Sequence, residues 1–161
     1  MKIYADADAL PTPIKDILCR AAMRRGIALV LVANKALRFP ESPHITAVRV
    51  GQGFDVVDGV IVERVASGDL VVTADIPLAA QVVEKDAHAV SPRGERYNRD
   101  NIQGKLAMRG LLSELRDSGV VTGGPPPLSN RDREAFAREL EMILQRHGPG
   151  RSVPDQSNGE K

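Results

Sequence analysis

Aromatic residues are rare in this chain, which has no tryptophan and only 3% Phe and Tyr among its 161 residues. Single-stranded nucleic acids are commonly bound by RRM or OB-type sheets, whose exposed rings stack on the bases. A chain with so few rings does not support a base-stacking platform of that type.

Cysteine and histidine are scarce as well. The single cysteine, Cys19, excludes an internal disulfide and suits a reducing compartment. The three histidines have neither zinc-ligand spacing nor an evident Ser-His or Cys-His pairing. The sequence therefore argues against a zinc site and against a nucleophile activated by histidine.

The chain also lacks an excess of charge of either sign and any long apolar run. Its 22 basic and 21 acidic residues give a net charge of +1, which provides no overall electrostatic basis for binding nucleic acid or a membrane. No apolar stretch approaches the roughly 20 residues of a transmembrane helix. Because the chain starts on a predicted strand without a charged leader, we expect no signal peptide and a cytoplasmic location.

The residues that are present alternate between strand and helix patterns. The run IALVLVA at 27–33 is apolar throughout, as is typical of a parallel strand covered on both faces. Thr12 and Pro13 fit the N-cap and first position of a helix that ends at Gly26. The alternation predicts an α/β fold, a three-layer α/β/α sandwich with a mostly parallel five-stranded sheet. The predicted strands are 2–6, 27–33, 45–50, 70–74 and 87–90, and the first three helices are 12–25, 55–65 and one from about Pro77.

The C-terminal third has a different character. A polar loop at 91–101 precedes a leucine-rich helix, and an irregular connector at 122–128 precedes a second helix. Ser129 and Asp132 fit a capping box at the start of that last helix. We expect the two helices to cover the sheet, residues 1–147 to form a single domain, and the polar tail 148–161 to be disordered.

Carboxylates follow two of the predicted strands. Asp6 and Asp8 come at the end of the first strand, and Asp75 comes directly after LVVTA at 70–74. Ligands of open α/β sheets bind in a crevice at the carboxyl ends of the strands. If the first and fourth strands are neighbours, these three residues and Asp58, one turn into the preceding helix, supply the oxygen ligands that Mg²⁺ or Mn²⁺ prefers.

Each aspartate also has a purely structural interpretation. Aspartate is common at strand ends, where it forms turns or caps helices. We interpret Asp55 as the N-cap of the second helix and Asp69 as a turn residue, and Asp8 can serve to shape its loop. The metal site therefore depends on the carboxylates being brought together, not on any one of them.

A phosphate substrate needs cationic or N–H donors near those carboxylates. The candidates are Lys15 in the first turn of a helix, whose N-terminus favours anions, Arg93 and Asn101 of the polar loop, and Arg109. Arg93 and Asn101 would form a lid over the phosphate together with Tyr97. The alternative for each basic residue is a solvated charge or a weak surface ion pair.

Several segments in order resemble the YaiI/YqxD family of uncharacterised bacterial proteins. The resemblance covers about residues 1–147, and it differs at Leu10, where the family usually has cysteine. A cysteine nucleophile at that position is thereby excluded, so the carboxylates would carry the chemistry. The matching segments are DADALPTPIKDILCRAA at 6–22, VAN at 32–34, GFDVVD at 53–58, GDLVVTADIPLAA at 68–80, SPRGERY at 91–97 with NI at 101–102, and TGGPPPLSNRDREAFA at 122–137.

That family is similar in turn to PIN-like nuclease domains, through the strand that ends in aspartate and the segment VVTAD. The resemblance implies a compact α/β/α sandwich and hydrolysis of phosphodiester bonds that depends on Mg²⁺ or Mn²⁺. By position, Asp6 and Asp75 match the first and third acidic residues of PIN domains. Asp8 and Asp58 have no secure counterpart there and are proposed from spacing alone.

Three functions follow from these patterns. The first is a metal-dependent nuclease, with RNA as its expected substrate. The second is a module that binds nucleic acid or protein without catalysis. The third is a small-molecule phosphohydrolase in which Asp6 attacks phosphorus, although Leu10 stands where that pattern normally has threonine or valine.

Overall fold

A computed structural model describes residues 1–53, 56–120 and 126–148 of the chain. The elements follow the alternation of the sequence. They are β1 (Lys2–Asp6), α1 (Thr12–Arg25), β2 (Ala28–Ala33), β3 (Ile45–Arg49), α2 (Val56–Arg64), β4 (Leu70–Val72), α3 (Ile76–Glu84), β5 (His88–Val90), β6 (Arg96–Tyr97), α4 (Ile102–Asp117) and α5 (Asn130–His147).

The strands form one sheet in the order β3-β2-β1-β4-β5-β6. The first five are parallel, as the apolar runs predict, and β6 pairs antiparallel with β5. The prediction of five strands was therefore one short. β6 has two residues within the polar loop, and it is a strand because of its pairing with β5, which no apolar run signals.

Helices cover both faces of the sheet and complete the predicted sandwich. One face packs against α1 and α5, and the other packs against α2, α3 and the start of α4. The last helix, α5, belongs fully to the core, since Phe136, Ile143 and Leu144 have no exposed surface. It packs beside α1 in the same helical layer.

Most predicted helix ends are confirmed. Gly26 closes α1 in the left-handed conformation, at φ +66°, and Ser129 and Asp132 form the predicted capping box of α5. The N-cap of α1 was predicted wrongly. Pro11 holds that position in an extended conformation, so Thr12 is the first helical residue and no side chain caps the helix.

Two other predictions fall partly or wholly outside the described residues. These are the N-cap role of Asp55 and the disorder of the tail beyond Gly148. No helix among the described residues is long and apolar enough to cross a lipid bilayer.

Candidate functional site

The chain reverses its direction across the sheet between β1 and β4. From β1 it proceeds to β2 and β3 on one side, and then returns to β4 and β5 on the other. Such a switch point leaves a crevice outside the carboxyl ends of the two central strands, which is where ligands bind in open α/β sheets. Asp6 ends β1, and Ala5 pairs with Val72 of β4, so Asp6 and Thr73 stand side by side at this crevice.

Asp6 lies at the centre of three carboxylates. Partial burial raises the pKa of Asp6 above its ordinary value, and the nearby charges of Asp75 and Asp8 raise it further. A hydrogen bond with the Thr73 hydroxyl opposes this rise. Asp75 and Asp8, which come from two distant segments, are thus both close enough to disfavour the charged form of Asp6.

Asp75 is held by its own helix. One of its carboxylate oxygens accepts a hydrogen bond of 3.0 Å from the backbone N–H of Leu78, which makes Asp75 the N-cap of α3. Its backbone N–H donates to the Thr73 hydroxyl oxygen, also at 3.0 Å. The structural interpretation of Asp75 as a cap is correct, and this cap also fixes the carboxylate at the crevice.

Asp8 lies in a short 3₁₀ turn, Ala7–Ala9, directly after β1. One oxygen of its carboxylate accepts a hydrogen bond of 2.7 Å from the backbone N–H of Asn34, at the end of β2. The other oxygen is buried and has no hydrogen-bond partner among the described residues. A buried carboxylate oxygen without a donor is unfavourable unless water or a cation reaches it.

No lysine or arginine of the described residues neutralises this group. Asp6, Asp8 and Asp75 are absent from every ion pair formed within residues 1–53, 56–120 and 126–148. Within the same residues, no three acidic, histidine or cysteine side chains lie close enough to enclose a metal ion. The carboxylates therefore form an open cluster, not a closed cage.

Asp75 also lines a cavity of about 560 Å³ between α2, α3 and α4. Asp58 lies on the α2 side of this cavity and Arg109 on the α4 side. The fold therefore brings five of the predicted site residues to one region. Asp6 and Asp8 lie at the crevice, Asp58 and Arg109 line the cavity, and Asp75 belongs to both. The cavity is lined by Asp58, Gly59, Val62, Asp75, Pro77, Gln81 and Arg109.

The other predicted phosphate contacts lie elsewhere. Arg93 forms an ion pair of 2.6 Å with Asp132 and donates to the backbone carbonyl of Pro126, so it connects the polar loop to the start of α5. Asn101 donates to the Arg96 carbonyl at 2.7 Å and accepts from the Asn98 backbone N–H at 2.9 Å. Both residues make contacts that hold the polar loop in shape.

Lys15 is half-buried near the start of α1, and no described contact joins it to the aspartates. Its charge acts on Cys19, one turn along the same helix, where it opposes the rise of the thiol pKa that burial causes. Lys15 is thus not placed in the cluster.

Two buried hydroxyl groups that border the site, those of Thr73 and Ser91, were not predicted as part of it, whereas Tyr97 was predicted in the phosphate lid. Thr73 and Ser91 each follow a buried strand and are themselves buried, and Tyr97 of β6 lies beside them. Burial raises the pKa of Tyr97 to about 12, with Glu95 and Asp75 adding to the rise and a hydrogen bond with Ser91 opposing it. Thr73 and Ser91 could have been recognised as site residues, because each is a hydroxyl residue directly after an apolar strand.

Asp69 has the structural role expected of it. Its carboxylate accepts hydrogen bonds of 2.9 Å from the backbone N–H groups of Lys2 and Ala66, and it is nearly fully buried. It therefore ties the turn before β4 to the start of β1, at the opposite end of the sheet from the crevice.

A family model described as "uncharacterized BCR, YaiI/YqxD family" matches residues 4–146 of this chain. A UPF0178 protein of Solidesulfovibrio magneticus is 90% identical over 147 residues, which cover 91% of this chain and 98% of the relative. UPF0178 proteins of Thioalkalivibrio sulfidiphilus and Shewanella sp. strain MR-4 are 55% and 59% identical, over 89% and 90% of this chain and 98% and 97% of the relatives. No solved structure matches the chain.

Proposed function

Since the chain belongs to the YaiI/YqxD family, whose description names no activity, we propose from the site itself that it is a metal-dependent phosphodiester hydrolase acting on RNA. The observation that supports this is the convergence of Asp6, Asp8 and Asp75 at the switch point of the sheet. Neighbouring carboxylates raise the pKa of Asp6, and no described cationic side chain pairs with the cluster. A divalent cation is the counter-charge that such a cluster lacks.

The donor atoms fit Mg²⁺ or Mn²⁺. Mg²⁺ is usually held by one or two carboxylates and completes its coordination with water and substrate phosphate. Asp6 and Asp75 would hold the ion as its two protein ligands, and Asp8 would add negative charge beside them. An open cluster suits this mode of binding, because a closed protein cage would leave no place for the phosphate.

When bound, the ion supplies a Lewis acid that neutralises phosphate charge and activates water. The protein's own residues position the reactants around it. Thr73 orients Asp6 through its hydroxyl, and the cap at Leu78 fixes Asp75. Arg109, on the α4 side of the cavity, would contact the phosphate, because a guanidinium group can donate two parallel hydrogen bonds to its oxygens.

The likeness to PIN domains is part of this proposal. It rests on the aspartate that ends β1 and on the aspartate that follows β4, the two positions that the motifs match. Asp58 extends the acidic lining of the cavity and has an interaction within the fold. Its role is therefore the least defined among the four predicted carboxylate ligands.

Cleavage of a fluorescently labelled RNA in Mn²⁺, with and without EDTA, tests the proposal. We expect cleavage in Mn²⁺ that EDTA abolishes, and that Asp6→Asn and Asp75→Asn each reduce by about 100-fold or more. Asp100→Asn is the matched control, since Asp100 is exposed in the polar loop and forms no hydrogen bond or ion pair with the described residues. Absence of metal binding and of cleavage on RNA and DNA would reject the hydrolase.

The same assay distinguishes the two alternatives. RNA binding that persists or tightens in Asp6→Asn, without cleavage in the unmodified protein, would indicate a non-catalytic binding module. Hydrolysis of a generic aryl phosphate with Asp6 trapped as a covalent adduct would indicate a small-molecule phosphohydrolase.

A further inference from the structure

The helix α4 has an apolar face that the fold leaves uncovered. Of its sixteen residues, all of them described, Ile102 alone is buried. Met108, Leu111 and Leu112 are 54%, 49% and 38% exposed. Contiguous apolar side chains on a surface helix usually mark a site where something binds.

A groove runs along one edge of this face, and we name it the α4 groove. Its lining combines apolar and cationic side chains, and its cavity volume is about 230 Å³. Pockets that enclose a whole small ligand are typically about 300–1,000 Å³, so the groove suits a single ring system. The lining residues are Ile76, Lys105, Met108, Arg109, Leu112 and Arg116.

Two of the three cations in the groove are available to an anion. Lys105 is paired with Glu95 at 2.8 Å, whereas neither Arg109 nor Arg116 has an ion-pair partner among the described residues. Arg109 also lines the cavity that contains Asp75. An anionic chain lying in the α4 groove would therefore continue directly into the acidic site.

The distribution of charge along α4 argues against an antiparallel second copy of the chain as the occupant. The helical period places Lys105, Arg109 and Arg116 along one edge of the apolar face, and Glu114 along the other edge. In two antiparallel copies related by a two-fold axis, each edge of α4 would lie against the same edge of the other copy. Like charges would then face each other, which is unfavourable.

We propose that the α4 groove binds an unpaired base of a single-stranded nucleic acid. The base would lie against Ile76, Met108 and Leu112, and Arg109 and Arg116 would contact the adjoining phosphates or stack on the ring. Bases in a duplex are paired and stacked, so they cannot enter a groove of this kind. The choice of a nucleic acid as the ligand rests on the proposed function. Binding to the α4 groove can nevertheless be measured separately from cleavage.

Fluorescence anisotropy with a short labelled single-stranded RNA in EDTA, and with the same strand in a duplex, tests the inference. We expect the single strand to bind about tenfold more tightly than the duplex, and Met108→Glu to weaken single-strand binding by about tenfold. Met142→Glu is the matched control, because Met142 is 41% exposed on α5, in the opposite helical layer. Arg116→Gln should lower both the affinity and its dependence on salt.

The inference is overturned if the unmodified protein binds single strand and duplex equally, if it binds neither, or if Met108→Glu binds like Met142→Glu. It is also overturned if light scattering shows a dimer that Met108→Glu converts to a monomer, since a second copy then covers the face. Equal urea midpoints for the two methionine variants exclude unfolding as the cause of weaker binding. Binding as predicted without any cleavage would refute the hydrolase alone, and cleavage that Met108→Glu does not affect would refute the groove alone.

Discussion

The hydroxyl oxygen of Thr73 accepts a hydrogen bond of 3.0 Å from the backbone N–H of Asp75. The same hydroxyl contacts the Asp6 carboxylate, at the end of the neighbouring strand. Thr73 has no exposed surface, so neither contact is easily replaced by water. One buried side chain thus sets the relative position of the two aspartates on which the proposed chemistry depends.

Replacing Thr73 with valine keeps the shape of the side chain and removes the hydroxyl. Thr73→Val should lower the free energy of unfolding by about 1–3 kcal/mol, because the N–H of the half-buried Asp75 loses its acceptor. It should also raise the pKa of Asp6 further. Urea denaturation and NMR titration of the carboxyl carbon measure the two effects, and Thr73→Ser is the control that should retain most of both.

Two substitutions of Asp75 separate its structural role from its chemical role. Asp75→Ala should cost about 1 kcal/mol of stability, because α3 loses its N-cap, whereas asparagine remains a good cap and should cost little. Both variants should lose cleavage to the same extent. If Asp75→Asn retained activity, the carboxylate would have no role beyond the cap.

The raised pKa of Asp6 predicts a stability difference that depends on pH. A carboxyl group whose pKa is higher in the folded than in the unfolded protein favours folding at low pH, and this contribution is lost as pH rises through the folded value. Asp6→Asn should therefore raise the urea midpoint at pH 7. The gain should disappear below the ordinary aspartate pKa of 3.8.

Comparing Asp6→Asn with the unmodified protein at each pH removes other contributions to the pH dependence. Asp132 and Glu141 have lowered pKa values, because of hydrogen bonds from Ser129 and Arg25 respectively, and they destabilise the fold as pH falls. Both groups are present in both proteins. A midpoint difference that is constant with pH, or that favours the unmodified protein at pH 7, would contradict the predicted repulsion among the carboxylates.

Alanine substitutions at two glycines with positive φ distinguish the stability cost of backbone strain from that of steric overlap. Gly68→Ala, at φ +88° with open space around it, should cost about 1–2 kcal/mol. Gly94→Ala, at φ +87°, should cost about 1–3 kcal/mol more, because its new Cβ would lie 2.7 Å from the Ala135 carbonyl carbon. Thermal or urea unfolding of both variants measures the difference, and equal losses would show that the polar loop does not pack closely on α5.

Most of the architecture could be predicted from local patterns. Buried parallel strands are apolar along their whole length, so β1, β2 and β4 were evident, and their alternation with helices implied the sandwich. β6 could not be predicted, since Arg96 and Tyr97 form a strand only through pairing with β5. The placement of α5 beside α1 depends on packing that its own apolar face does not specify.

The site residues that directly follow the end of a strand could be predicted from the sequence. Asp6, Asp8 and Asp75 were expected together because parallel strands end at the same edge of the sheet. Arg93 was expected at the phosphate, but its partner Asp132 lies 39 residues away, and only the fold brings the two into contact. Asp58 and Arg109 reach the same cavity through helix packing, which spacing in the sequence does not specify.

The most direct test of the account is a crystal structure of the protein with Mn²⁺, in which anomalous scattering identifies the ion. The account predicts a manganese peak within coordinating distance of the carboxylate oxygens of Asp6 and Asp75, and no such peak in Asp6→Asn crystals. A saturating Mn²⁺ soak that leaves these two carboxylates without an ion would contradict it.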